Sequence, residues 1–372
     1  MGSLAVPDAV LDRARRVGRE IGRLAAGVGG QVSVDADQTL AGRAAMLGIA
    51  PAGRISAGGA TRLLASRDGW CALTLSRPDD VDAIPALLEV DRPPAEPWQA
   101  LAAAVAARGA ADVVERARLL DLPAAVLGEV SAAAPAFVSR GRPAPRAVRE
   151  LLVADLSSMW AGPLCGSLLA AAGATVVKVE SPGRPDGTRR GHPDFFDWMN
   201  SAKLSYAADF GGDETRLLLE VADVVIEGSR PAALVRRRLG PDDIPPRPGQ
   251  VWLRVTGYGT HGRCADRVAF GDDAAVAGGL VGEGPVFVGD AIADPLTGLE
   301  AARAVFEALG RGGGELVEVA MAEVAASYAT GASLRCANCV PAEPPPPRRP
   351  AAALGADNGR VRELIESRLS RC

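Results

Sequence analysis

The sequence predicts an α/β protein: a doubly wound, mostly parallel Rossmann-like core joined to a second, smaller α+β domain. Three observations carry that expectation. From residue 151 to about 330, apolar runs of strand length alternate with helical patterns, as in βαβ units of a parallel sheet. Within that span, "LLVADLSSMWAGPLCGSLLAAAGATVVKVESPG", residues 151–183, reads strand, turn, helix, strand and carries the acidic Glu180 where a nucleotide-binding unit has its acid. A chain of 372 residues with 48% hydrophobic content also buries a sizeable core, and it is long for one ordinary domain.

Residues 1–49 read as an N-terminal helical segment, because Val10, Leu11, Ala14, Val17 and Ile21 recur at helical spacing. Residues 50–140 read as the small domain. It has short strands about an Asp68-Gly69 turn in "GRISAGGATRLLASRDGWCALTL", then helices in "WQALAAAVAARGAADVVERARLLDLP". The Pro- and Arg-rich "SRGRPAPRAVRE", residues 139–150, is a linker. The core, 148–335, takes "LLVADL", "ATVVKVE", "DVVIEG", "VWLRVTG" and "GELVEVAM" as strands. Its helices are "PLCGSLLAAAG", "DETRLLLEVA" and "PLTGLEAARAVFEALG". Residues 336–372 hold the extended "PAEPPPPRRP" and a helix from about Asn358 to Leu369, expected to cross the surface.

Composition narrows the function. Net charge is −4 and no basic stretch is interleaved with aromatics, so no nucleic-acid partner is expected. No run reaches the roughly 20 apolar residues that span a bilayer, and the first residues lack a secretory pattern. A cytoplasmic protein without a membrane partner is the expectation, with its six cysteines reduced. Cys336 and Cys339 have C-x-x-C spacing but no second ligand pair, and the only histidines are His192 and His261, so no metal is expected.

The turn after the first core strand carries no glycine fingerprint. Where G-x-G-x-x-G would fall stand Ser157, Ser158, Met159, Trp160, Ala161, Gly162 and Pro163. The letters do match at Gly257-Tyr258-Gly259-Thr260-His261-Gly262, yet no helical pattern follows, so this is not a dinucleotide loop. A strand-to-helix turn without glycines still offers backbone N–H groups and a helix dipole to an anion. Lys178, in a strand, reads as an ion-pair partner, and Arg236 and Arg237 as a solvated face. By spacing alone, Asp294 in "DAIADPLTGLEAARAVFEAL" is a helix cap.

Taken in order, these segments resemble the class III CoA-transferases. The stretches that carry the resemblance are Asp155 to Pro163, "LLAAAGATVVKVESPG", "DGTRRG", "NSAKLSYAADF", "ADVVIEGSRP", "RRRLG", "VTGYGTHG", "AVAGGL", "IADPLTGLEAARAVFEAL" and "GELVEVAM". The group includes formyl-CoA and carnitine-type CoA-transferases and shares its fold with α-methylacyl-CoA racemases. The resemblance implies CoA or acyl-CoA as substrate, no permanently bound cofactor, a carboxylic acid acceptor and an interlocked homodimer. It implies Asp294 as the nucleophile that carries CoA as an aspartyl thioester. It further implies CoA or substrate contacts at Trp160, Ala161, Arg189, Arg238, Gly257 and Tyr258; relatives carry a polar residue such as glutamine at the Trp160 position. Asp290, four residues before Asp294, matches less well.

The segment order differs from the family's. There the small domain follows the core, whereas here Asp68-Gly69, Trp98 and "ARLLDLPAAVLGEV" precede it, which suggests a circular permutation or rearrangement. Two other functions stay open: an α-methylacyl-CoA racemase and a non-catalytic CoA-binding subunit. Racemases of the fold carry His-Asp where this chain has Phe270-Gly271 followed by Asp272 and Asp273, which favours transfer.

Overall fold

The structure, a computed structural model, describes residues 3–228, 230–329, 339–341 and 343–370. The chain opens with β1 (Ser3–Ala5), α1 (Asp8–Gly27) and α2 (Ala36–Leu47). A small unit follows: β2 (Thr61–Ser66), β3 (Gly69–Thr74), α3 (Pro78–Asp82), α4 (Ile84–Leu88), α5 (Pro97–Arg108), α6 (Ala110–Leu119) and β4 (Ala124–Val126). The large unit runs β5 (Ala136–Ser139), β6 (Leu152–Asp155), α7 (Ala161–Ala171), β7 (Thr175–Glu180), α8 (Pro193–Asn200), β8 (Leu204–Ala207), α9 (Asp213–Val221) and β9 (Val224–Glu227). It continues with α10 (Pro231–Val235), β10 (Val251–Thr256), α11 (Gly271–Ala277), α12 (Ala293–Gly310), β11 (Glu315–Ala320) and α13 (Met321–Ala329). The chain closes with β12 (Cys339–Pro341) and α14 (Asn358–Leu369).

The expected fold class is the one observed. Seven strands lie in the order β5-β11-β10-β9-β6-β7-β8, parallel except for β5. Every residue of β6, β9 and β10 is buried, because helices cover both faces of the sheet. Val153, Val176, Val224, Ile226 and Leu253 face α7 and α12 on one side. Their neighbours Leu152, Val177, Val225 and Trp252 face α9 and α14 on the other, as the period of two requires. Successive strands leave β6 first toward β8 and then toward β11. That reversal between β6 and β9 is where a doubly wound sheet opens a ligand crevice at its carboxyl ends.

Several sequence expectations are corrected. Strand β5 lies in the range assigned to the small domain yet pairs with β11 of the large sheet, Ser139 opposite Glu315. The N-terminal segment is part of the main core: Val10, Ala14, Val17 and Ile21 are buried with α12. Strand β1 pairs with β12, joining the two ends of the chain. The terminal helix has the expected bounds but does more than cross the surface, since Val361 and Ile365 are buried against the sheet's second face. In the small unit the connection between β2 and β3 is Arg67-Asp68, and Gly69, at φ +137°, already opens β3. That unit keeps its own apolar cluster of Leu64, Cys71, Leu73, Leu101, Val105 and Val113. It docks on α11 through Leu63 and Ala72 against Val276 and Phe287.

Candidate active site

Ser157 to Trp160 form the loop that follows β6 at the switch point, and buried charges pin that loop. Lys203 donates to Asp155 at 2.7 Å and to the Pro163 carbonyl at 2.8 Å, while Asp155 accepts from the Ser157 backbone at 3.1 Å and from its hydroxyl. The ion pair expected of Lys178 is made with Asp186, at 2.8 Å, and Lys178 also donates to the Ser157 carbonyl. Asp186 then accepts from the backbone N–H of Met159. Met159 sits at φ +72° and is 42% exposed, an unfavourable backbone for a residue with a Cβ that the network holds in place. A Cβ on Gly228, just past β9, would lie 2.8 Å from that of Ser157, so the two strand ends meet in contact.

Asp294 stands on the helix that closes this end of the sheet. It is not the cap: Ile292 is the N-cap of α12, and Asp294 is the second residue of the first turn. Its carboxyl accepts a hydrogen bond from the backbone N–H of Gly271, at the start of α11. A Cβ on Gly271 would lie 2.4 Å from Asp294 Oδ2 and 2.2 Å from the Ala291 carbonyl, so this approach admits only glycine. One turn further along α12, Gly298 lies against α7: a Cβ there would be 2.8 Å from the Ala161 carbonyl. Residues four apart share a helix face, so the face that bears Asp294 is the one that meets the start of α7 beside the crevice.

The surroundings of Asp294 are acidic. Asp290 is 1% exposed and is gripped by Arg43 of α2, whose Nη1 donates to its two carboxylate oxygens at 2.6 and 2.7 Å. Asp272 accepts from the Ala291 N–H at 3.1 Å. Asp273 accepts from the Phe270 N–H at 2.9 Å and the Thr74 hydroxyl at 3.2 Å, and its second oxygen has no partner among the described residues. Burial pushes Asp294 up to about 7, with Arg43 acting downward and Asp272 and Asp290 upward. Burial raises Asp272 to about 6 and Asp273 to about 8, each helped by its nearest carboxylate. Asp294 therefore changes charge near neutral pH, a property suited to a carboxylate nucleophile or a proton carrier.

The other residues singled out in the sequence divide. Trp160 is 3% exposed, and its ring packs edge-on against Phe195 with centroids 5.3 Å apart. Its side chain packs in the core, with no partner for Nε1 among the described residues and the Arg43 guanidinium 5.4 Å from the ring centroid. Ala161 opens α7. Arg189 is committed to Glu180, with Nη2–Oε2 at 2.6 Å, and also donates to the Ala352 carbonyl; its fork is filled by protein. Arg238 is exposed at φ +55°, and its side chain has no partner among the described residues. Gly257 and Tyr258 follow β10, one strand over from β9. Tyr258 is buried under the Arg267 guanidinium at 3.7 Å and faces Asp273, which with burial raises its hydroxyl. His261 and His192 are exposed.

Sequence reasoning missed Arg43, Asp272 and Asp273 as site residues. Arg43 is 247 residues from its partner Asp290, in a segment without a motif. Among the described residues no group of three or more His, Cys, Asp or Glu side chains is placed to hold a metal. Cys336 lies outside the described residues, and Cys71, Cys165 and Cys264 are free thiols. Among the described residues no helix is long and apolar enough to cross a membrane.

The fold and site define a doubly wound α/β protein in which a carboxyl that titrates near neutrality lies on the helix packed against the start of α7, beside the switch point. The family model of CoA-transferase family III matches residues 148–353, more than half of the chain, and the chain belongs to that family. It is 31% identical over 208 residues to a succinyl-CoA–D-citramalate CoA-transferase of Chloroflexus aurantiacus, covering 50% of this chain and 52% of that protein. It is 34% identical over 199 residues to a probable fatty acyl-CoA transferase of Mycobacterium tuberculosis, covering 46% and 50%. A CaiB/BaiF family protein from Brucella suis superposes with a TM-score of 0.44 at 30% identity, over 50% of this chain and 55% of that one. The chain thus spans about half the length of the curated relatives it matches.

Proposed function

We propose that the protein is a CoA-transferase that moves CoA from an acyl-CoA donor to a carboxylic acid through Asp294. The observation that carries this reading is the setting of Asp294. Its carboxyl lies on the α12 face that meets the start of α7, with the Gly271 N–H as donor and a titration near neutrality. The family match across 148–353 supports it.

In the proposed cycle the Asp294 carboxylate attacks the donor thioester carbonyl, expelling CoA thiolate and forming a mixed anhydride. The thiolate attacks the aspartyl carbonyl of that anhydride, which releases the donor acid as carboxylate and leaves an aspartyl-CoA thioester. The acceptor carboxylate then attacks the aspartyl carbonyl, expelling CoA thiolate and forming a second anhydride. Thiolate attack on its acyl carbonyl yields the new acyl-CoA and restores Asp294. The thioester energy is conserved with no other energy source. Each attack by Asp294 requires its ionised form, so turnover rises with pH through about 7.

Succinyl-CoA is the proposed donor and a dicarboxylic acid the proposed acceptor, because relatives from Chloroflexus, Agrobacterium and humans are named for that donor or for succinate. The free guanidinium of Arg238 is the proposed contact for a CoA phosphate. Phe270, where racemases have histidine, supports transfer over epimerisation. A homodimer, and a small unit displaced in sequence from its place in the family, complete the proposal. The test is a matrix of acyl-CoA donors, succinyl-CoA first, against carboxylic acids, with products separated by chromatography. New acyl-CoA that depends on acceptor supports the proposal; CoA binding without any transfer identifies a binding subunit instead.

A further inference from the structure

Arg43 lies outside the family-matched span, and the local fold still delivers it to the site. Asp35 caps α2 by accepting from the Gln38 N–H at 3.0 Å. Gly42 packs hard against the large unit: a Cβ there would lie 3.1 Å from the Trp198 ring and 3.2 Å from Pro345. The next residue, Arg43, enters the interior with 24% of its side chain exposed. Its guanidinium is 5.4 Å from the ring centroids of both Trp160 and Phe195, within cation–π range, and it grips Asp290.

Among the described residues, the charged groups with the largest effect on Asp294 are Arg43 from α2, Asp272 from α11 and Asp290 from the segment before α12. Three carboxyls therefore share one cation. We propose that Arg43 is a positioning residue of the transferase site: flanked by the Trp160 and Phe195 rings and bonded to both Asp290 oxygens, it fixes Asp290 and sets its positive charge against the carboxyl cluster that includes Asp294. This rests on the transferase reading of Asp294 for its catalytic consequence, but its electrostatic content stands by itself. The two aromatic rings and the two bonds to Asp290 hold the guanidinium on three sides. Lysine keeps the charge but lacks the planar guanidinium that lies over the two rings, so it is an incomplete substitute.

The test titrates Asp294 directly by carbon-13 NMR of aspartate-labelled protein, its resonance assigned by loss in Asp294→Asn. In Arg43→Met the midpoint of Asp294 is expected to rise by roughly one pH unit or more, and in Arg43→Lys by less. Arg43→Met with Asp290→Asn removes one charge of each sign and is expected to return the midpoint toward wild type, which lost packing alone would not do. Thermal melts establish that each variant is folded, and Arg43→Gln, which also removes the charge, serves if Arg43→Met is not. Succinyl-CoA turnover against pH should show its acid limb moved in parallel, with KM for the donor little changed. An Asp294 midpoint that stays within a few tenths of a unit in a folded variant that has lost the charge, Arg43→Met or Arg43→Gln, overturns the proposal. Shifted midpoints in a protein that transfers no CoA would instead overturn the transferase reading and leave the electrostatic role of Arg43 intact.

Discussion

At the scale of single residues, the site depends on two side chains that are unusual for what they lack. Gly271 lacks a Cβ because Asp294 Oδ2 and the Ala291 carbonyl occupy its place. Gly271→Ala is expected to cost about 1–3 kcal/mol of stability through overpacking, measured by urea unfolding, and to reduce turnover at least tenfold by displacing Asp294. Asp273 lacks a partner for one oxygen, and burial raises it to about 8. Its folded value lies above its unfolded one, so the native state holds the proton more tightly. The resulting stabilisation is full below pH 4 and is lost as pH rises toward 8. Asp273→Asn keeps an oxygen for the Phe270 N–H and removes the titration. At pH 9 it should exceed wild type in stability by on the order of 1 kcal/mol or more, with little difference at pH 4. A wild-type unfolding free energy that does not fall between those pH values would contradict this assignment.

At the scale of elements, the strands were legible where they are apolar on both faces. "LLVADL", "DVVIEG" and "VWLRVTG" each contain the observed strand with an error of one or two residues, because continuous burial leaves a continuous apolar run. Edge strands were less legible: β8 buries only Ser205 and Tyr206, and β5 is mostly exposed. The start of α12 was misplaced because Asp before a helix normally caps it, whereas here the helix begins at Ala293 and the aspartate turns to another element. Arg43 was illegible, since nothing local marks a residue whose partner is 247 positions away. The charged layer beneath the crevice was legible only in part, with Lys178 recognised and Lys203 not. Lys203 and Asp155 are fully buried and join β6, α7 and the approach to β8. Lys203→Met leaves an unpaired buried carboxylate and is expected to cost about 3–5 kcal/mol, whereas Lys203→Met with Asp155→Leu should recover part of it. Urea unfolding of the single and double variants measures the difference.

At the scale of the whole molecule, residues from outside the family-matched span pack into the main core and reach Asp290 beside the candidate site. Helix α1 covers α12, the element that carries Asp294, and Ile21 is 0% exposed beneath it. Ile21→Ala is expected to destabilise the entire large unit by about 2–5 kcal/mol in a single transition, read by thermal or urea unfolding. A first transition confined to the N-terminal segment would show that segment to be an appendage. Covalent carriage of CoA by Asp294, the proposed step, is read by intact-mass spectrometry after mixing the protein with succinyl-CoA. The expected result is an added CoA mass that hydroxylamine converts to a hydroxamate mapped to Asp294, and an Asp294→Asn protein that binds CoA but never gains the mass. Transfer by the wild-type enzyme with no adduct at Asp294, or unimpaired transfer by Asp294→Asn, would contradict it.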